Sequence, residues 1–252
     1  MIISHRHRLY QERWNHLKKS RYNGAYYYSK EIVENIIPKV KTDRHWITVN
    51  LPGTGCDHAI VFIHNNLHPH NYDWLQRYKD IILVCGIEST CDKVKHIGKT
   101  IYLPLSIDVE AVSKYRKDNR QGSAFAGRPS KRIMKTAKLP SGVRIIEGLP
   151  REQFLEAMAG LETIYAVGRT AIEARCLGCD IGIYDERYPD PSVWQVIDNS
   201  KAAEILQAEL DKIDNKPDMN WTKAELIEYA TENNIKVNTR DTKSQILELI
   251  NA

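Results

Sequence analysis

Short apolar runs alternate with amphipathic stretches along most of the chain, and the alternation occurs twice. In the first series, Trp46–Leu51 is rich in β-branched residues and predicts a strand. Ala59–His64 and Ile81–Cys85 are near-continuous apolar runs, the pattern of strands buried on both faces. Thr100–Leu103 is a fourth strand, stopped by Pro104. Helical patterns fall between and after them, at Tyr72–Arg77, Glu88–His96 and from Asp108 to about Tyr115. The polar stretch Arg116–Arg120, followed by Gln121-Gly122, predicts a boundary.

The second series starts there. Ser123–Ala126, Val143–Ile146, Glu162–Ala166 and Asp180–Tyr184 predict strands. Pro129–Ala137, Leu149–Met158, Thr170–Leu177 and Ala202–Ile213 predict helices. Strands alternating with helices imply a parallel sheet covered by helices. The expected fold is therefore α/β, with two doubly wound Rossmann-like lobes over residues 1–118 and 119–214. In such sheets ligands bind beyond the carboxyl ends of the strands.

The two ends of the chain read differently. The first forty residues are basic and rich in Tyr, with Asn23-Gly24 as a turn and a short helical pattern over Glu31–Val40 that Pro38 ends. Asn215–Asp218 reads as a linker. Thr222-Lys-Ala-Glu225 and Thr242-Lys-Ser-Gln245 are two capping boxes, each opening a short apolar helical stripe. With Ile235–Val237 extended between them, residues 219–252 predict a small helix–extended–helix module. Its basic residues Lys223, Lys236, Arg240 and Lys243 suit either a phosphate backbone or a solvated protein-contact surface.

Composition narrows the class. Charged residues are 27% and apolar residues 42% of the 252, the balance of a folded globular protein. The net charge of +4 is too small to imply nucleic-acid binding by itself. No apolar run reaches the ~18 residues of a membrane span. The start, Met1–Arg8, lacks the apolar core of a secretion signal, and five cysteines leave one unpaired; both predict a cytoplasmic protein with reduced thiols. Cys176-Leu-Gly-Cys179 has redox spacing but suits a helix end running into a strand. His64, His68 and His70 form no metal pattern, because no matching carboxylates accompany them.

Tyr165–Tyr184 carries the most chemistry. It reads as strand, Gly168-Arg169-Thr170 turn, helix, Gly178, strand. Backbone N–H groups and the Thr170 hydroxyl at a helix N-terminus form an anion site, and Arg169 adds a positive fork. From one turn into the helix, Glu173 can accept the two hydroxyls of a ribose. An ordinary strand–helix connection explains the same spacing.

This stretch, Gly168-Arg-Thr-Ala-Ile-Glu-Ala174 continuing to Gly178, resembles the donor-lobe signature of GT-B glycosyltransferases. Ile101–Asp108 resembles the segment closing the first lobe of that superfamily. Phe125-Ala-Gly-Arg128 with Lys131 resembles the strand and basic loop opening the second, and Glu147–Leu155 the stretch before the donor helix. The resemblance covers about residues 45–200. It implies that Glu173 holds the donor ribose, that Arg128 and Lys131 neutralise the diphosphate, and that Gly168, Arg169 and Thr170 cradle phosphate. The implied reaction is metal-independent sugar transfer from a nucleotide-sugar co-substrate to an acceptor hydroxyl. Many retaining members carry a Glu where this chain has Tyr165, so an inverting mechanism is expected. Its general base should lie near a strand end of the first lobe: His64 first, with Glu88 and Asp57 as alternatives. The tail resembles SAP- and LEM-related modules, which occur in bacteriophage proteins with DNA partners. Together the two resemblances imply a phage-type transferase acting on DNA, with a modified base as acceptor. The alternative expectation is a non-catalytic DNA- or protein-binding chain on a degenerate GT-B scaffold.

Overall fold

The computed structural model describes residues 24–47, 58–63, 75–76, 80–127, 139–214 and 217–251. The chain divides into two compact units, Met1–Gln207 and Ala208–Ala252.

The first unit is α/β and holds two sheets in which every pairing is parallel. The first sheet takes β1 (His45–Ile47), β2 (His58–Ile63), β3 (Asp80–Cys85) and β4 (Lys99–Tyr102), in the order β1-β2-β3-β4. The second takes β5 (Ser123–Ala126), β6 (Arg144–Ile146), β7 (Thr163–Tyr165) and β8 (Asp180–Gly182), in the order β6-β5-β7-β8. The winding therefore differs between them. The second sheet reverses direction at β5, as a doubly wound sheet does. The described strands of the first sheet follow chain order without a reversal, which corrects the expectation of two doubly wound lobes.

The apolar runs occupy the sheet centres. In β2 and β3 every residue after the first is buried. Alternate side chains point to opposite faces. Ala59, Val61, Ile63, Ile81, Leu83 and Cys85 form one core cluster with Leu75, Val94 and Ile97. On the other parity, Phe62 stacks on Trp46 with ring centroids 5.8 Å apart.

Among the described residues the α-helices follow the sequence pattern with one exception; the helix expected over Tyr72–Arg77 lies outside them apart from Leu75 and Gln76. Glu88–Val94 (α2), Val109–Ser113 (α3), Arg151–Ala159 (α4), Arg169–Cys176 (α5) and Asn199–Asp214 (α6) lie where helices are expected. Asp108 caps α3 by accepting from the Ala111 N–H at 2.8 Å. The exception is the first helix, Gly24–Glu31 (α1), which starts seven residues before the expected Glu31. It runs on through a π turn, Ile32–Ile36, and a 3-10 turn, Ile37–Lys39, that contains Pro38. Tyrosine is a poor helix former in isolation. Burial of Tyr28, Ser29, Glu31 and Ile32 shows that tertiary contact, not local propensity, holds this segment.

The polar stretch expected as a boundary is tied to α5. Arg116 Nε donates to the Cys176 carbonyl at 2.5 Å, and Arg120 Nη1 to the Leu177 carbonyl at 3.1 Å. Both guanidinium groups thus meet the carbonyl end of α5, where cations are favoured. That helix closes in a Schellman motif: the Cys179 N–H reaches the Ala174 carbonyl at 3.0 Å and the Gly178 N–H the Arg175 carbonyl at 2.9 Å. Gly178 has φ +88°, the left-handed position the motif requires. Cys176 and Cys179 are buried free thiols at this turn, the structural role the spacing also allowed.

Charge gathers at the amino ends of the first sheet's strands. Asp80 accepts from Arg44 Nη1 at 2.7 Å, with His58 Nδ1 at 3.1 Å and Lys99 Nζ at 3.9 Å. Burial opposes ionisation of Asp80, but the hydrogen bonds from Arg44 and His58 outweigh it, and the carboxyl sits below its usual range. The pair therefore stabilises the fold fully above the ordinary Asp pKa of about 3.9, and the contribution is lost as pH falls through the depressed folded value. Asp80→Asn is expected to cost about 1 kcal/mol at pH 7 and less at about pH 3, below the ordinary Asp range. Urea melts of both proteins at the two pH values check this; an equal penalty at both would refute it.

The second unit contains the helices Lys223–Glu232 (α7) and Lys243–Asn251 (α8). Both capping boxes form. The Thr222 N–H donates to Glu225 at 2.6 Å and the Glu225 N–H to Thr222 Oγ1 at 3.3 Å; Thr242 and Gln245 repeat the pair at 2.8 and 3.3 Å. Asn233 caps α7, and Asn234 adopts φ +57° as the chain turns. Leu226, Ile246 and Leu247 make a small core flanked by Trp221, Ile227, Val237 and Ile250. Among the described residues, no helix is long and apolar enough to cross a membrane.

Candidate functional site

The reversal of the second sheet sets the most informative position. β5 and β7 are neighbours, with Phe125 opposite Tyr165. The chain leaves β5 toward β6 on one side, and reaches β8 from β7 on the other. A crevice opens at the carboxyl ends of such a strand pair. Gly127 leaves β5 there, and Gly168 follows β7 and caps α5.

Around α5 the polar residues singled out from the sequence turn inward. All of its residues except Arg175 are buried. Arg169 Nε donates to Glu173 Oε1 at 3.0 Å, and its Nη2 to Glu31 Oε1 at 2.8 Å. Its Nη1 lies 3.4 Å from the Ser106 carbonyl. Arg151 Nη2 adds a second donor to Glu173 Oε1 at 3.2 Å. Glu31 also accepts from Asn35 at 2.7 Å and from Asn199 at 2.5 Å, and Asn199 in turn accepts from the Ser106 hydroxyl at 2.8 Å. Two carboxylates and two guanidinium groups thus balance. They come from α1, the start of α4 and α5, and the neutral members come from the π turn after α1, the β4–α3 connection and the start of α6.

This changes the reading of Glu173. Its side chain has no exposed surface, whereas a ribose-gripping carboxylate must be reachable. In this arrangement a ligand reaches it only by displacing an arginine. Arg151 is the exposed member, at 20%. Its guanidinium also lies over the Tyr27 ring, 4.8 Å from the centroid, and its buried Nε finds no hydrogen-bond partner. Burial raises the Tyr27 hydroxyl pKa, with Arg151 pulling the other way. Arg169 and Thr170 are likewise buried, so the Arg169 fork is not presented to solvent at the start of α5.

In the first lobe, Glu88 is exposed in the first turn of α2, beyond the carboxyl end of β3. Tyr102 stands at the end of the adjacent β4. Its hydroxyl pKa is raised, first by burial and then by the charge of Glu88. Cys91 sits one turn further along α2 and hydrogen-bonds with Cys85, which raises the Cys85 thiol pKa and lowers that of Cys91. Asp57, His64, Arg128 and Lys131 lie outside the described residues, as do the His68–His70 pair and the helix expected over 129–137. Among the described residues, no three His, Cys, Asp or Glu side chains group as a metal site.

In the tail, Lys236 and Arg240 are exposed, and Lys223 is half-buried at the start of α7. Lys243 Nζ donates to the Met219 carbonyl at 2.8 Å. Sequence reasoning missed Glu31, Arg151, Ser106 and Asn199. The one signal available was α5 itself: a helix built of Ala, Ile and Cys on every side has to supply partners for the charges it carries inward.

No family model, curated protein or solved structure matches the chain. The side chains and the topology therefore carry the functional reading.

Proposed function

We propose that the chain is a compact glycosyltransferase of the GT-B kind, using a nucleotide-sugar as donor. The observation supporting this most strongly is the winding reversal between β5 and β7, with Gly127 and Gly168 leaving the two strand ends. The donor diphosphate lies against the backbone N–H groups at the start of α5, with Arg128 and Lys131, which follow β5 in the chain, supplying positive charge. Arg, Lys and backbone dipoles stabilise the leaving diphosphate without a metal. Tyr165 in place of a second acidic residue favours inversion, which needs one base beside the acceptor hydroxyl. Glu88 is the described candidate, and His64 and Asp57 are the others. Glu173 engages the ribose only after Arg151 has moved toward the donor.

DNA as acceptor rests on the tail's resemblance alone. Residues 217–251 carry four basic and six acidic side chains, a net charge of −2, which disfavours a phosphate-rich partner there. A second reading, a non-catalytic binding protein on a degenerate scaffold, is favoured by one observation: Glu173 is closed off beneath two arginines.

Thermal denaturation with millimolar uridine-, guanosine-, thymidine- and adenosine-diphosphate sugars separates the readings. A ligand at about 100 times its Kd is expected to raise Tm by roughly 5 °C. Arg128→Gln is expected to abolish that rise without altering the ligand-free Tm. Absence of a shift with every donor would overturn the proposal. A shift without sugar transfer or donor hydrolysis would support the second reading.

A further inference from the structure

The second unit carries a concavity of about 400 Å³ lined by Asn220, Trp221, Glu225, Glu228, Tyr229 and Glu232. Its makeup follows from helix geometry. Positions 225, 228, 229 and 232 recur at spacings of three and four, so they share one face of α7. Trp221 precedes that helix and meets Tyr229 edge to face, with ring centroids 5.8 Å apart and planes at 88°. Trp221 is also packed on the unit's core, which fixes the aromatic wall.

The rim is negative. Glu225 accepts from the Thr222 N–H, and that hydrogen bond holds its carboxyl below the usual range, so it stays ionised. Glu228 and Glu232 are exposed on the same face. Carboxylates and aromatic π faces attract the same kind of ligand, a cation. Phosphate would be repelled by all three carboxylates. Met219, beside Asn220 in the chain, is 58% exposed and offers apolar contact to whatever flanks that cation.

We propose that this pocket is a docking site for a basic protein segment, which inserts a Lys or Arg side chain between the aromatic wall and the Glu228–Glu232 rim. Charge complementarity commits the site to a protein partner rather than to nucleic acid. The site is independent of the sugar-transfer reading, because none of its residues belongs to the first unit.

Fluorescence anisotropy of a labelled octalysine peptide with the full-length chain tests the proposal. The peptide is expected to bind at low salt, and its fully N-ζ-acetylated form is not. Glu228→Gln and Glu232→Gln are each expected to weaken binding roughly fivefold. Glu248→Gln removes the same charge from α8 outside the pocket, and it is expected to change binding less than about twofold. Equal losses in all three variants would reduce the effect to net charge and overturn the proposal. So would failure of octalysine to bind at millimolar concentration. Binding of a duplex oligonucleotide that Lys236→Ala and Arg240→Ala abolish would assign the unit to nucleic acid instead.

Discussion

Arg169→Met is expected to destabilise the first unit by about 3–5 kcal/mol, the cost of removing one partner from a buried ionic cluster. The Arg169 side chain is 1% exposed and bridges two carboxylates that are 7% and 0% exposed, those of Glu31 and Glu173. Without it both lose a charged partner while water stays excluded. Glu31 keeps the neutral amides of Asn35 and Asn199, and Glu173 keeps Arg151. Methionine fills the alkyl volume, so packing loss adds little. Urea unfolding at pH 7 reads the penalty directly.

The network origin of that penalty has its own signature. Arg169→Met/Glu173→Gln removes one positive and one negative charge together. It is expected to be more stable than Arg169→Met alone, with a coupling of about 1–3 kcal/mol. Arg151→Met should cost less, about 1–2 kcal/mol, because that side chain reaches water. A loss below about 1 kcal/mol for Arg169→Met would mean that the cluster is solvated in solution.

The partners of these charges could not be read from the sequence, for a physical reason. Strands are visible because burial on both faces needs unbroken apolar runs, and Ala59–Ile63 and Ile81–Cys85 are such runs. Helix ends are visible where chemistry is local: Thr222 with Glu225, Thr242 with Gln245, and Gly178 after α5. A buried ion pair is not local. Glu31 and Arg169 stand 138 positions apart, and no periodicity links them. The Arg169–Glu173 spacing of four was legible, but not whether that face of the helix meets solvent, a ligand or another helix. A ribose site and an ordinary strand–helix connection fit that spacing alike; the pair meets Glu31 of α1 and Arg151 of α4. Which sheet reverses was equally hidden: the alternation predicted a reversal in both, and strand order depends on crossover direction rather than on any residue in the strands. For the same reason the order of elements around α5 was legible while the burial of the Glu173 carboxylate was not.

Gly168→Ala is expected to produce the second large effect, because that residue joins the strand-end crevice to the buried cluster. It has φ +63° and ψ −141°, a combination essentially confined to glycine. A Cβ there costs about 1–3 kcal/mol in strain, or moves the start of α5. Either response reaches further than the residue itself. Arg169 follows directly, so a shifted helix start carries its guanidinium away from Glu31. The first-turn N–H groups proposed to hold the diphosphate shift with it. The expected result is a lower Tm together with loss of the thermal protection given by any nucleotide-sugar. Gly142→Ala provides the comparison: φ is +80° and the added Cβ meets no atom within 4 Å, so it carries positive-φ strain at an open site. It should lower Tm by a few degrees and leave ligand protection intact. If the two variants behave alike, the turn after β7 is an ordinary strand–helix connection. If only Gly168→Ala loses the ligand response, the crevice and the ionic cluster depend on one backbone geometry, and the closed Glu173 is coupled to the site it was expected to line.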